Sequence, residues 1–200
     1  MNVRDSARSA TNSLTGNAAV PGSTRCKSST APMQPPRLIA VDSNILLALA
    51  GGNEEVLDAW EVIRSRLRPV LLIVPPTVLD EVGHQAADPS RAKLQVLAAK
   101  ALRELRSRWM LQPVELRADQ DSAVEQAAEE ICKSGLLPFA ERNDAFIVAE
   151  AAVLECMLLV SRDSHLHGLD RAELKRLLGR FNLAPPLIAS PREILEKFYR

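Results

Sequence analysis

The sequence predicts an α/β sandwich built on a mainly parallel sheet, and three observations carry that prediction. Four short apolar runs recur along the chain: "LIAV" (38–41), "VLLIV" (70–74), "MLLV" (157–160) and "PLIAS" (186–190). Stretches of helical periodicity separate them, so strand-like and helix-like patterns alternate. The length, 200 residues at 46% hydrophobic content, suffices for one sizeable core and not for two full domains.

Residues 1–36 stand apart from this pattern. They hold ten Ser or Thr and four Pro, with no aromatic residue and few larger aliphatics, so little there drives collapse. We read them as a disordered leader. Four basic residues against one acid give it the composition of an organellar transit peptide without the amphipathic period; a flexible tail, or a start nearer Met33, fits equally.

The folded part, 37–200, begins with the strand at 38–41. Asn53 caps a helix over 54–67, with Val56, Trp60, Ile63 and Leu67 on one face. The second strand is closed by Pro75 and Pro76. Leu94, Leu97, Ala98, Ala101, Leu102 and Leu105 form the stripe of a further helix. In "DSAVEQAAEEICKSG" (121–135), Ser122 and Glu125 suggest a capping box and Gly135 a stop. "AFIVAEAAVL" (145–154) is apolar nearly all round, which places that helix centrally against the sheet. After the run at 186–190, a terminal helix starts at Pro191.

Composition excludes several classes. Lys and Arg number 25 against 25 Asp and Glu, so no overall field announces a nucleic-acid partner. Cys26, Cys132 and Cys156 are odd in number and widely spaced, against both a disulfide framework and a zinc site. That usage suits a reducing, cytoplasmic setting. No run reaches the roughly 18 apolar residues of a membrane span, and no signal-peptide core is seen.

Four acids fall at equivalent places on this skeleton. Asp42 follows the first strand, Glu81 lies after the second, Asp144 opens the buried helix, and Asp163 follows "MLLV" closely. In an open α/β sheet that edge is where ligands bind. Each acid also has a plain alternative: Asp42 and Asp163 as helix caps, Asp144 as a dipole partner, Glu81 on a solvated face. Carboxylates crowded in an apolar place repel one another and acquire raised pKa values unless they share a cation. Mg²⁺ or Mn²⁺ suits an all-oxygen donor set, and the chemistry such a set supports is phosphodiester hydrolysis with one or two ions.

"LIAVDSNILL", "VPPTVLDEVGH", "RNDAFIVAEA" and "LLVSRDSHL", in this order, resemble the four acidic motifs of PIN-domain nucleases, the group that includes VapC-like toxins. "LIASPREILEKF" is similar to that family's last strand and helix, so the resemblance spans about 38 to 198. It implies a PIN-like fold, a three-layer α/β/α sandwich with a central sheet of four to five strands. It also implies an endoribonuclease in which Asp42, Glu81, Asp144 and Asp163 bind the metal and carry catalysis, supported by Asn44, Asn143 and Ser161. Asp80, beside Glu81, is the competing second acid. For a toxin, the resemblance implies a small antitoxin seated in the acidic cleft and allows a homodimer through the helices.

Without the leader's four basic and one acidic residues, the remainder carries 21 basic and 24 acidic, a net of −3. Arg142 and Arg162, neighbours of proposed ligands, are the preferred RNA contacts. Arg64, Arg66 and Arg68, or Arg91, Lys93, Arg103, Arg106 and Arg108, read more simply as solvated helix faces. Two Trp, one Tyr and four Phe make no stacking platform, so recognition is expected through backbone and shape. His84, His165 and His167 are read as surface or packing residues. Two other readings stay open: a non-catalytic RNA-binding or interaction module on the same fold, and a phosphoacceptor receiver-like domain. The latter wants an acidic pair before the first helix and a Lys after a late strand, whereas "LIAVDSN" has one acid and Pro191 follows "PLIAS".

Overall fold

The computed structural model describes residues 36–138 and 140–198; the leader expected over 1–36 lies, but for Pro36, outside the described residues. Strand β1 (Arg37–Val41) runs straight into α1 (Ser43–Gly51), which stops where Gly52 takes φ 74°. Helix α2 (Glu54–Arg66) follows, its first turn closed by Asn53, whose side-chain oxygen accepts from Val56 N–H at 3.1 Å. Strand β2 (Val70–Val74) ends at Pro75, and Pro76 occupies the first position of α3 (Pro76–Ala87), where a missing N–H costs least.

A short turn of 3₁₀ helix (Pro89–Arg91) leads to α4 (Ala92–Trp109) and strand β3 (Leu111–Pro113). Helix α5 (Ala118–Ser134) ends at Gly135, again at φ 74°. It begins earlier than the expected capping box at Ser122 and Glu125 would have it. Asp119 and Asp121 favour that earlier start by complementing the helix dipole. Ser122 therefore sits inside the helix, its hydroxyl donating back to Ala118 O at 3.2 Å, while Gln120 accepts Arg117 N–H at 3.1 Å. Then come α6 (Arg142–Val153), β4 (Leu158–Val160), α7 (Ser164–His167), α8 (Arg171–Gly179), β5 (Leu187–Ala189) and α9 (Pro191–Phe198).

The four apolar runs are thus β1, β2, β4 and β5, and the sheet has a fifth strand, β3. Every pairing is parallel, in the order β3-β2-β1-β4-β5. Successive residues in the three central strands are buried: Ile39, Ala40 and Val41; Leu72, Ile73 and Val74; Leu158, Leu159 and Val160. Since successive side chains point to opposite faces, both faces are covered, which makes three layers. Helices α3 and α4 pack together, as do α5 and α6, α3 and α6, and α2 and α9.

From β1 the chain moves outward to β2 and β3, then crosses back to β4 and continues to β5 on the other side. The strand order therefore reverses between β1 and β4, and in open α/β sheets the crevice at the carboxyl ends of the strands beside such a switch is where ligands bind. Among the described residues, the buried polar or charged side chains are Asp42, Ser43, Glu150 and Ser161, against a core of more than forty apolar ones. Two of them, Asp42 and Ser161, immediately follow β1 and β4. No described helix is long and apolar enough to cross a membrane, and Cys132 and Cys156 are free thiols.

Candidate metal centre

The register that pairs Val41 with Val160 sets the next residues, Asp42 and Ser161, side by side at the crevice. Asp42 N–H donates to Val160 O at 3.0 Å, prolonging the ladder by one bond. Asp42 is 3% exposed, and each of its carboxylate oxygens accepts two hydrogen bonds. Oδ1 accepts Ser43 N–H at 2.6 Å and the Ser43 hydroxyl at 3.3 Å. Oδ2 accepts the Asn44 amide and the Ser161 hydroxyl, both at 2.6 Å.

Asp42 is indeed the cap of α1, as the plain reading expected. Capping accounts for Oδ1 and not for Oδ2, whose donors come from the second residue of α1 and from Ser161, just after the neighbouring strand β4. Burial pushes the Asp42 carboxyl above its ordinary range, the hydrogen bonds from Ser161 and Ser43 pull against it, and the charge of Asp163 pushes further.

Asp163 caps α7 by accepting His165 N–H at 2.6 Å, and its own N–H donates to Ser161 Oγ at 2.9 Å. Asn44 closes the same knot from the other side, its Oδ1 accepting Arg162 N–H at 3.0 Å. Glu81 on α3 is half-buried, whereas Asp80 beside it is exposed. Burial raises the Glu81 carboxyl, and the charges of Asp42 and Glu141 add to this. The Ser43 hydroxyl and the Gln85 amide, 3.1 Å away, pull the other way.

Asp144 is the electrostatic hub. Burial pushes its carboxyl up to about 7, and the charges of Asp42, Asp163, Glu141 and Glu81 all push in the same direction. Its Oδ2 is buried with no hydrogen-bond partner. A buried carboxylate oxygen without a donor costs free energy that a bound cation would return. Among the described residues, no three His, Cys, Asp or Glu side chains stand close enough to grip one ion as they lie. The four acids share a field rather than a common point. Their chemistry still fits a hard divalent ion: every donor is oxygen, the set is strongly anionic, and Asp144 has an oxygen to offer.

The other expected site residues divide. Ser161 and Asn44 support Asp42 as described. Asn143 is exposed and donates no hydrogen bond to any of the four carboxylates. Arg142 lies over the Phe146 ring at 5.5 Å and lines a shallow groove with Glu129, Cys132 and Lys133, towards α5. Arg162 is exposed beside Asn44. Arg64 and Arg68 line a groove of about 720 Å³ with Val70, Leu71 and Leu72, at the amino end of β2, whereas the acids lie at the carboxyl end of the sheet. Arg91 and Arg108 are near Asp88 and Glu104. His84 is exposed; His167 is half-buried between Ser161 O, 3.0 Å from Nε2, and Glu193, 3.5 Å from Nδ1.

Two acids were missed from the sequence. Glu141, directly before α6, joins the field on Glu81 and Asp144 and lies 4.0 Å from His165. The signal was its position three residues before Asp144. Glu150, the polar residue within the apolar stretch 145–153 of α6, is buried against Thr77 and raised to about 7 by burial, against the Thr77 hydrogen bonds, with Asp80 and Asp121 adding.

No family model and no curated protein matches the sequence. Among solved structures, a chain of VapBC2 from Rickettsia felis, crystallised bound to a DNA fragment from their promoter, superposes with TM-score 0.52. It is 15% identical, over 76% of this chain and 98% of that one. A chain of VapBC-1 from nontypeable Haemophilus influenzae gives TM-score 0.49 at 14% identity, over 78% and 98%. At such identities the likeness is one of fold: the chain has the PIN-like fold that its four ordered motifs imply.

Proposed function

We propose that the chain is a Mg²⁺- or Mn²⁺-dependent endoribonuclease that hydrolyses phosphodiester bonds at Asp42, Glu81, Asp144 and Asp163, and that it is the toxin of a toxin–antitoxin pair. The observation that carries this reading is Asp144: a carboxyl with an unpartnered buried oxygen, raised to about 7 by burial and by four other acids. Such a group is matched to a cation rather than to packing. A divalent ion in a carboxylate site supplies an activated water and charge stabilisation at the scissile phosphate.

The chain's own residues do the rest. Ser43, Asn44 and Ser161 hold Asp42 in one orientation, as supporting donors do for ligating carboxylates. Asp42 and Asp163 present charge from the two strands that flank the crevice, and Glu81 and Asp144 from the helices over it. The exposed Arg162 side chain, next to Asp163, is placed to meet the RNA backbone; Arg142 faces α5 and is the weaker of the two. The likeness to VapBC2 supports a small protein antitoxin as partner. We propose in addition that it places a basic side chain in the acidic crevice, that the chain works in the cytoplasm and that it forms a homodimer.

The test is cleavage of a structured RNA by the purified chain with Mg²⁺ or Mn²⁺, and its loss in Asp144→Asn. A second reading, a non-catalytic RNA-binding or interaction module, is favoured by the absence, among the described residues, of three acids close enough to grip one ion. RNA binding without Mn²⁺ binding by calorimetry would select it.

A further inference from the structure

Helix α3, which carries Glu81, has no cap of its own. Pro75 precedes it and offers no side-chain acceptor. The acceptor comes from another helix. Glu150 of α6, 3% exposed, receives Thr77 N–H on both carboxylate oxygens, at 3.1 and 3.2 Å, and the Thr77 hydroxyl on Oε1 at 2.7 Å. A carboxylate there satisfies an orphan N–H of the first turn and meets the positive end of the helix dipole. Bonds to a charged acceptor away from water are strong ones.

The choice of residue is informative. Glu150 makes no ion pair with any described Lys or Arg, and the charges acting on it, Asp80 and Asp121, are acidic. A buried charge is expensive, and an apolar side chain of similar volume is commonly as stabilising or more so. Packing alone therefore does not call for Glu at this place. Its partners show what does: Thr77 lies one turn before Glu81 on the same face of α3, and Glu150 lies on α6, the helix that Asp144 opens. The bonds tie together the two helices that bring Glu81 and Asp144 to the crevice.

We propose that Glu150 is a positioning residue, which caps α3 from within α6 and so fixes Glu81 against Asp144. The proposal rests on the carboxylate-centre reading above. Glu150 hydrogen-bonds none of the four acids, so it acts through Thr77 and the backbone of α3.

The test uses Glu150→Gln, which keeps the volume, Thr77→Val, and their double variant. Calorimetry is expected to show Mn²⁺ affinity falling about tenfold in each single variant, the range for outer-shell partners, and no further in the double. Leu177→Ala, a core variant in α8, should lower the thermal midpoint and leave the affinity unchanged. Unchanged Mn²⁺ affinity in Glu150→Gln and Thr77→Val would overturn the proposal. A metal-free readout separates it from the centre itself: in the crystal structure of Glu150→Gln, the first turn of α3 is expected to move away from α6. If the parent binds no Mn²⁺, the centre reading fails, and that crystal structure still decides whether Glu150 positions α3; an unmoved first turn would refute it.

Discussion

The Ser161 hydroxyl lies 2.6 Å from Oδ2 of Asp42, joining the residue that follows β4 to the residue that follows β1. Its lone pairs are taken by Asp163 N–H at 2.9 Å and the Asn44 amide at 3.3 Å, so its hydrogen is committed to Asp42. Ser161 thereby orients two proposed ligands at once. In Ser161→Ala, Asp42 loses a donor and Asp163 N–H loses its acceptor. Metal affinity and cleavage should fall about 10–100-fold. Stability should drop by about 1–3 kcal/mol, the cost of leaving buried groups unpaired. Calorimetry, an RNA cleavage assay and denaturant unfolding check the three effects.

Asp42→Asn and Asp144→Asn should both abolish cleavage while moving stability in opposite directions. At Asp42 four donor contacts converge on the carboxylate, and an amide would point a donor at some of them; the variant should be less stable by about 1–3 kcal/mol. At Asp144 no donor is lost and a repelled charge disappears. The metal-free Asp144→Asn protein should melt higher than the parent at pH 7.5. Its partial exposure limits the gain to a few degrees, where ~2–4 °C corresponds to about 1 kcal/mol in a chain of this size. Thermal melts in a chelator decide this.

The metal-free protein should grow more stable as pH falls from about 7.5 to about 5. Asp144 and Glu150 titrate near 7 when folded and at ordinary values of 3.8 and 4.5 when unfolded. Across that window the native state holds protons that the unfolded chain has released, so stability declines as pH rises and levels off above 7. The surface carboxylates Asp119, Glu129 and Glu173, held low by Arg117, Lys133 and Arg176, act in the opposite sense only below their usual range. Chelator-treated melts at intervals of pH test the direction.

Mn²⁺ should reverse that loss. Binding to the folded state alone adds about 2.7 kcal/mol at a hundred times Kd. The rise in Tm on adding Mn²⁺ should be larger at pH 7.5 than at pH 5.5, because protons compete for the same carboxylates. A rise that is equal at both values would place the ion elsewhere.

Much of this was legible in the sequence because it is local. The boundaries of β2, the Asn53 cap and the Gly135 stop follow from neighbouring residues, and the four acids are marked by the apolar runs and breaks before them. β3 was not legible: three residues ending in Pro, at the sheet edge, show neither a period nor an apolar run, and only pairing with β2 makes them a strand. The link between Glu150 and Thr77 spans 73 positions and leaves no local trace beyond one charge in the apolar stretch 145–153. Asn143, which the resemblance implies as a supporting residue, is left in solvent by the first turn of α6, and its exposure could not be read from its neighbours.

We propose that Asp42, Glu81, Asp144 and Asp163 form a metal-dependent RNA-cleaving centre. The most direct measurement is cleavage of an end-labelled structured RNA by the purified chain with Mn²⁺, with chelator, and with Asp144→Asn in place of the parent. Cuts at defined positions are expected with Mn²⁺ alone, and intact RNA in the other two. Cleavage that survives in chelator or in Asp144→Asn, or intact RNA throughout despite Mn²⁺ binding, would contradict it.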